Sequence, residues 1–272
     1  MEKLTMLDYV KETPGVLRKN IEQYETLLEP LMKEVQGKEI KRILLVASGS
    51  SHNACYCARS FVEKVSGLEV RIITPYTFTY YENDIRETDL VLVVTQSGLS
   101  TNAIEALKII KKKQYRAICL TGNKNSDVKD YADAVIEYGV GEELVGYVTK
   151  GVSTLALFLD LFAVVYSGKV EYLEELRKAA DLNEEMMDKA TDFIQLHYKN
   201  LSSMSWVYSC GAGSNYGTAL ESALKMGETI HIPSCCYEIE EYIHGPNLQL
   251  TPKYNVIFFD GNDVASHRVE QV

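Results

Sequence analysis

Two short loops of the sequence collect the residue types that hold a phosphate group. Residues 48–53 (SGSSHN) and 95–101 (TQSGLST) combine glycines with hydroxyl and amide side chains, and each precedes a helical stretch. Each loop would therefore present free backbone N–H groups and the positive end of a helix dipole to an anion. The same residue types also cap ordinary helices, so capping alone is the alternative interpretation. Neither loop is a G-x-G-x-x-G or Walker motif, so the sequence gives nucleotide binding no support.

A later segment, residues 219–246, carries residues suited to acid–base chemistry. Glu221, Lys225 and Glu228 are spaced i, i+4 and i+7, which places all three along one face of a helix. The alternative interpretation is a solvated face with an ordinary Glu–Lys pair. His244 stands before a Gly-Pro turn. It is a reasonable general acid or base, although a single histidine is often structural.

The six cysteines do not form a metal-binding pattern. Cys55 and Cys57 form a C-x-C with His52 nearby, whereas structural zinc sites normally supply paired C-x(2–4)-C ligands. Packing of small residues on a helix explains this pattern better. We therefore expect reduced thiols, no metal and no cofactor.

Alternating strands and helices must position these residues. Apolar runs cover residues 42–48, 69–75, 89–96, 115–122 and 133–139, with helical periodicity between several of them. This alternation predicts a doubly wound α/β sheet of parallel strands. Ligands bind outside the carboxyl ends of such strands, which is where both loops would lie.

A second α/β unit begins at Trp206. Its G-x-x-x-N pattern from Gly211 to Asn215 follows an apolar strand, as the pattern from Gly49 to Asn53 does, which predicts an internal repeat. After this point there is room for two or three strands, the last over residues 256–261, and one more helix start. We therefore expect the second unit to be truncated.

The predicted domains are residues 1–168, 169–202 and 203–272. The first contains an N-terminal helix over residues 5–37, with Pro14 marking an early turn, and a helix over residues 149–167. The second is a polar linking helix, and the third is the incomplete second unit. The tyrosine-rich stretch from Tyr76 to Tyr81 is expected to fill the core, with packing against a substrate as the alternative.

Composition excludes several classes of partner. The 272 residues carry a formal charge of -10, and the one basic cluster, residues 111–113, ends a predicted helix. A nucleic-acid partner normally requires a basic stripe. No apolar run reaches about 18 residues, so we expect no membrane span. The N-terminus lacks a signal-peptide pattern, and we expect a cytoplasmic protein.

The chain resembles the sugar isomerase (SIS) family, and most closely the isomerase half of glucosamine-6-phosphate synthase and its stand-alone relatives. The resemblance rests on ASGSSHNA, VTQSGLST, residues 148–150, ALESALKMGE and EEYIHGP, in that order. It implies two tandem flavodoxin-like αβα sandwiches with parallel sheets. It also implies a homodimer or tetramer whose active sites are shared across the interface.

The resemblance further implies a role for each candidate residue. Glu228 would move the proton between C1 and C2 of the sugar. His244, donated by a partner subunit, would open the sugar ring, and Lys225 would lie beside the reacting carbons. The residues that would hold the sugar phosphate carry hydroxyl or amide side chains: Ser51, Thr95, Gln96, Ser97 and Ser100.

Three departures from the family pattern affect the expected activity. Leu99 replaces a common Glu, Val148 replaces a sugar-contacting Ser, and nothing matches the family's C-terminal lysine. The chain also has no glutaminase segment, so we expect no glutaminase activity. The expected function is isomerisation of an amino-sugar or ketosamine 6-phosphate, with or without deamination. The alternatives are a fructosamine-6-phosphate deglycase and a non-catalytic sugar-phosphate sensor.

Overall fold

A computed structural model describes residues 4–272 of the chain. The protein divides into two compact units, the first ending at Glu184 and the second beginning at Glu185. This division lies inside the helix Tyr172–Leu196, within the predicted linker. The three predicted domain boundaries stay predictions.

The first unit contains a five-stranded parallel sheet. Its strands are β1 (Arg42–Ala47), β2 (Glu69–Ile73), β3 (Asp89–Thr95), β4 (Ile118–Thr121) and β5 (Ala134–Glu137), in the order β2-β1-β3-β4-β5. All residues of β1 are buried, because helices cover both faces of the sheet. The predicted α/β fold with parallel strands is confirmed. The strand order is flavodoxin-like, with its topological switch point between β1 and β3.

Helices pack on both faces of this sheet. They are α1 (Met6–Glu22), α2 (Tyr24–Val35), α3 (Gly49–Ser66), α4 (Pro75–Tyr80), α5 (Thr101–Lys112) and α6 (Lys150–Ser167). Ile43 and Leu45 of β1 belong to the core formed with α1, α2, α3 and α6, whereas Leu44 and Val46 belong to the core formed with α4 and α5. This alternation follows from the two-residue period of a strand. It fixes the directions in which α3 and α5 leave the sheet.

Pro14 does not mark a turn, as the sequence suggested, but lies inside α1. The helix starts with a capping box between Thr5 and Asp8 and buries Tyr9 and Leu17 against the core. Burial of this apolar face outweighs the missing proline N–H, so the helix continues for two more turns.

The expectation that the tyrosine-rich stretch fills the core is wrong for most of its aromatic residues. Tyr76, Tyr80 and Tyr81 are 62%, 63% and 73% exposed, and the Tyr76 ring contacts the rings of the other two. Phe78 is the aromatic residue of α4 that is fully buried. A helix of six residues can bury only one narrow face, and Phe78 lies on it.

One helix among residues 4–272, α6, is long and apolar enough to cross a membrane. Most of this helix is buried inside the first unit, where it packs against α3 and α1. Its apolar character is therefore that of a core helix.

The second unit contains a three-stranded parallel sheet. The chain continues through α7 (Tyr172–Leu196), α8 (Tyr198–Leu201), β6 (Trp206–Gly211), α9 (Ser214–Lys225), a π-helical turn (Met226–Ile230), β7 (Ser234–Tyr237), α10 (Ile239–Ile243), β8 (Tyr254–Phe259) and α11 (Ser266–Val269). The strand order is β7-β6-β8. Its core contains Tyr208, Cys210, Ile239 and Tyr242. The predicted tandem repeat and the truncation of this half stay predictions.

The two glycine motifs do not align as the sequence suggested. Gly49 follows β1 by two residues and has φ +56°, and Gly213 follows β6 by two residues with the same φ. Gly211, the predicted equivalent of Gly49, instead ends β6, where a Cβ would lie 2.2 Å from the carbonyl oxygen of Asn215. The equivalent glycines are therefore Gly49 and Gly213, because both open a helix in the left-handed region.

Asp160 predicts a pH-dependent stability effect. Its Oδ1 atom is buried in α6 without a hydrogen-bond partner among the described residues, and burial raises the pKa of this carboxyl well above its ordinary value. Unfolded chains ionise this carboxyl above about pH 4, so the wild type loses stability as the pH rises from there. We expect Asp160→Asn to gain on the order of 1 kcal/mol at neutral pH. Urea unfolding at about pH 4 and about pH 7 measures this gain, and an equal difference at both pH values would contradict it.

Candidate active site

The two predicted phosphate loops meet at the carboxyl edge of the first sheet. β1 and β3 are neighbours, with Ala47 paired to Val94, so the loops that follow them lie side by side. The amide of Asn102 in α5 donates to the hydroxyl of Ser48 before α3 at 3.1 Å, which joins the two loops directly. This is the switch point of the sheet, where open α/β folds bind ligands.

The hydroxyl groups at this edge do not cap the helices. Ser48 and Ser100 are the N-cap residues of α3 and α5, and neither side chain accepts a hydrogen bond from its helix. In contrast, Thr5 caps α1 fully. Helix capping as the alternative explanation of the two loops is therefore wrong for these side chains. The side chains of Ser48 and Ser100 therefore do not occupy the first N–H groups of α3 and α5, which an anion site would use.

The loop after β3 holds its hydroxyls in place. The hydroxyls of Thr95 and Ser100 lie 3.1 Å apart, and the Ser97 hydroxyl accepts from the N–H of Leu99 at 3.2 Å. Gly98 has φ +66°, and a Cβ there would lie 1.7 Å from the hydroxyl of Ser126. Only glycine permits this tight turn.

Ser51 lies beside this loop in the first turn of α3 and is buried. The structure thus brings Ser51, Thr95, Ser97 and Ser100 to one edge of the sheet. Their contacts with a phosphate stay predictions.

Gln96 is held by a residue that sequence reasoning missed. Its amide donates to the carboxylate of Glu143 at 2.7 Å, and the same carboxylate accepts from the N–H groups of Thr149 and Gly151 at 2.9 and 3.3 Å. Glu143 therefore ties the loop after β3 to the start of α6. The one sequence signal for this role is an acidic residue shortly before a helix, which favours the positive helix end.

The oxygen of the Gln96 amide lies next to Gly151 in the backbone of α6. Its Oε1 atom is buried and has no hydrogen-bond partner within residues 4–272. A Cβ on Gly151 would lie 1.9 Å from this oxygen. Gln96 therefore lies at the predicted edge of the sheet, but one of its amide hydrogens is committed to Glu143.

Gly151→Ala tests this packing. Alanine normally stabilises a helix relative to glycine, but here its methyl group must displace the Gln96 amide. We expect a loss of about 1–3 kcal/mol in the free energy of unfolding. Gly146→Ala is the matched control, since a Cβ there contacts nothing within 4 Å. A Gly151→Ala protein as stable as the control variant would contradict the packing.

Lys150 places a buried cation at the start of α6. It is 4% exposed, its ammonium lies 2.7 Å from the carboxylate of Glu12, and it stands 5.0 Å above the ring of Tyr9. This ion pair joins α1 to α6. Lys150, one of the residues 148–150 on which the family resemblance rests, therefore has a structural role in the first unit.

In the second unit, Lys225 lies between two carboxylates. Its Nζ atom is 3.2 Å from Glu221 and 2.6 Å from Glu228. The side chains of Glu221 and Lys225 are 14% and 16% exposed, so a solvated helix face is wrong for this pair. Glu228 is 34% exposed and remains the more accessible carboxylate. A carboxylate beside an ammonium group can accept a proton from a carbon acid while the cation stabilises the negative charge that develops.

His244 ends α10 with a defined orientation. Its Nδ1 atom lies 2.7 Å from the carbonyl oxygen of Glu240. A carbonyl only accepts, so Nδ1 carries the proton, and Nε2 of the neutral ring is the acceptor. The carboxylate of Glu238 caps α10 by accepting from the N–H groups of Glu240 and Glu241. The short helix thus presents an exposed imidazole whose Nδ1 is bonded to a backbone carbonyl.

Among residues 4–272, no group of three or more His, Cys, Asp or Glu side chains is placed to hold a metal ion. Cys55 is fully buried in α3, and burial raises the pKa of its thiol. The His52 ring contacts the Tyr56 ring at 5.0 Å. Helix packing therefore accounts for Cys55 of the C-x-C pattern and for the nearby His52.

Comparison with known proteins supports this description of the fold. Residues 38–164 match the SIS domain family. The glutamine-fructose-6-phosphate aminotransferase (isomerizing) of Caldanaerobacter subterraneus subsp. tengcongensis is 29% identical over 217 residues, which cover 76% of this chain and 36% of that protein. The chain thus aligns with 36–42% of the length of such curated relatives.

Two solved structures share the fold across nearly the whole chain. A provisionally assigned phosphosugar isomerase from Clostridium difficile 630 has a TM-score of 0.87 and 26% identity, covering 99% of this chain and 79% of that one. A glucosamine-6-phosphate deaminase from Thermotoga maritima has a TM-score of 0.82 and 23% identity, covering 98% and 80%. These structures share the fold, and the family match assigns residues 38–164 of this chain to a SIS domain.

Proposed function

We propose that this protein binds an amino-sugar or ketosamine 6-phosphate and catalyses aldose–ketose isomerisation, with or without loss of the amine. One observation carries this proposal. Two neighbouring helices, α3 and α5, begin at the sheet's switch point without side-chain caps, among the hydroxyls of Ser51, Thr95 and Ser100. That arrangement suits a phosphate monoester, which needs several oriented donors.

The second unit supplies groups for the proton transfer. Aldose–ketose isomerisation removes a proton next to a carbonyl, which requires a base within reach of both carbons. We assign this role to Glu228, with Lys225 stabilising the negative charge that develops. His244 supplies the separate acid–base group that ring opening requires, since Nε2 of its neutral ring is an acceptor.

The relatives favour this class of substrate. The names of the similar proteins refer to fructose 6-phosphate, glucosamine 6-phosphate or phosphosugars. From the family resemblance alone, we also infer a cytoplasmic homodimer or tetramer with His244 donated across subunits. A sensor without turnover is less favoured, because a sensor has no need of the partly buried Glu221–Lys225–Glu228 cluster.

Thermal unfolding with paired ligands tests the phosphate site. Hexose, amino-hexose and ketosamine 6-phosphates are each compared with the corresponding unphosphorylated sugar. We expect stabilisation by a phosphorylated sugar only, of about 2.7 kcal/mol at a concentration of about 100 times Kd. Thr95→Val combined with Ser100→Ala should remove this effect. Thr191→Val, which removes an exposed helical hydroxyl elsewhere, should keep it. Absence of stabilisation by every phosphosugar would overturn the site.

The products then separate isomerase from deglycase. A deglycase would release glucose 6-phosphate and an amino acid from a fructosamine 6-phosphate. An isomerase would interconvert the aldose and ketose forms of its substrate.

A further inference from the structure

The helix that carries the acid–base cluster changes its hydrogen-bonding pattern at Lys225. α9 is α-helical up to Lys225, and Met226–Ile230 form a π-helical turn that contains Glu228. Such turns are rare and occur frequently at functional sites. The turn ends at His231, a non-glycine residue with φ +60°.

Two hydroxyl groups donate to carbonyls that are also the acceptors of an unbroken α-helix. The Thr229 hydroxyl donates to the carbonyl of Lys225 at 2.7 Å, which is the acceptor that the N–H of Thr229 would take in an α-helix. The Ser234 hydroxyl donates to the carbonyl of Ala223, which is the α-helical acceptor for the N–H of Gly227. Side-chain hydroxyls bonded to helical carbonyls slightly destabilise the helix and often bend it.

The sheet of the second unit fixes one of these hydroxyls. Ser234 is the first residue of β7 and pairs with Val207 of β6. The hydroxyl of Ser209 in β6 also donates to Ser222 of α9 at 3.0 Å. These bonds attach the end of α9 to the sheet, whereas Thr229 is exposed to solvent.

A turn that closes over five residues moves the side chains that follow it around the helix axis. In this arrangement the ammonium of Lys225 contacts Glu228 at 2.6 Å while it stays 3.2 Å from Glu221. The π turn therefore determines where the carboxylate of Glu228 stands relative to Lys225.

We propose that Thr229 and Ser234 are positioning residues, whose hydroxyls hold the π turn and thereby set the orientation of Glu228 against Lys225. Both act on the backbone carbonyls that would otherwise restore the α-helix. The catalytic consequence rests on the proposed function, whereas the structural consequence does not.

Crystal structures of variants test the structural part. In Thr229→Val/Ser234→Ala we expect the N–H of Gly227 to bond to the carbonyl of Ala223 and the Lys225–Glu228 distance to lengthen. Thr229→Ser keeps a hydroxyl and should keep the π turn. Thr229 is exposed, so the single variant Thr229→Val should fold and gives the same test if the double variant does not. A π turn that persists in every variant lacking the Thr229 hydroxyl would overturn the proposal.

Steady-state kinetics test the catalytic part. For the phosphosugar that the wild type converts, we expect Thr229→Val/Ser234→Ala to lower kcat by about tenfold or more with KM within about twofold, because phosphate binding is untouched. Thr229→Ser should restore most of kcat. An unchanged kcat in a variant with an altered turn would overturn the positioning role. If the wild type converts no phosphosugar, the proposed function fails, and the crystal structures still decide whether the hydroxyls hold the turn.

Discussion

Glu228→Gln should lower turnover of the phosphosugar by about 10²- to 10⁴-fold while leaving its binding intact. The amide has the same shape as the carboxylate but cannot accept the proton that isomerisation removes. We assign phosphate binding to the loops after β1 and β3, and the substitution changes neither loop. Turnover is measured by coupled assay, and binding by the shift in thermal unfolding.

Glu185→Gln is the matched control. Glu185 also pairs with a lysine on its own helix, Lys189 at 2.5 Å, but both side chains are more than half exposed. Its loss should leave turnover unchanged. If Glu228→Gln retained turnover within a few-fold of the wild type, Glu228 would not be the base.

Asp89→Ala should lower the free energy of unfolding by about 3–5 kcal/mol. Arg42 at the start of β1 and Asp89 at the start of β3 form a bidentate ion pair, with side chains 4% and 0% exposed. Removing the carboxylate leaves a buried guanidinium without its partner. This pair joins the two strands at the end opposite to the phosphate loops. Urea unfolding measures the loss.

Glu82→Ala provides the comparison on the surface. It removes the ion pair between Arg71 and Glu82, whose side chains are 36% and 49% exposed. We expect a change of about 1 kcal/mol or less, because solvent screens exposed charges. An Asp89→Ala variant no less stable than Glu82→Ala would contradict the account of the buried pair.

The strands of the first sheet could be predicted closely from the sequence. β1 was expected over residues 42–48 and forms over Arg42–Ala47, and β3 was expected over 89–96 and forms over Asp89–Thr95. Strands covered by helices on both faces require continuous apolar runs, which are easy to recognise. Once the strands are placed, the glycine and hydroxyl residues that follow β1 and β3 indicate the candidate phosphate loops, because ligands bind at the carboxyl ends of such strands.

Other features depended on contacts between residues distant in sequence. The bond between Gln96 and Glu143 joins positions 47 residues apart, and no local pattern indicates it. The glycine of the second unit that corresponds to Gly49 is Gly213, two residues after the expected Gly211. Gly211 makes a close backbone contact, whereas Gly213 precedes its helix with a positive φ. Pro14 favours a turn by local propensity, but it lies inside α1 because the helix gains tertiary burial.

The π turn could not be predicted from helical spacing. By their spacing, Glu221, Lys225 and Glu228 fit an uninterrupted α-helix equally well. The departure arises because Ser234, which lies beyond the helix in β7, donates its hydroxyl to a helical carbonyl. Such a bond depends on how the strand packs against α9.

Deuterium exchange at C1 and C2 of a sugar phosphate tests the proposed isomerisation most directly. The protein is incubated in heavy water with an amino-hexose or ketosamine 6-phosphate, and proton NMR follows the hydrogens on both carbons. We predict that the wild type replaces one of these hydrogens with deuterium and that Glu228→Gln does not. Tight binding of the phosphorylated sugars without any exchange by the wild type would contradict the account and indicate a sensor.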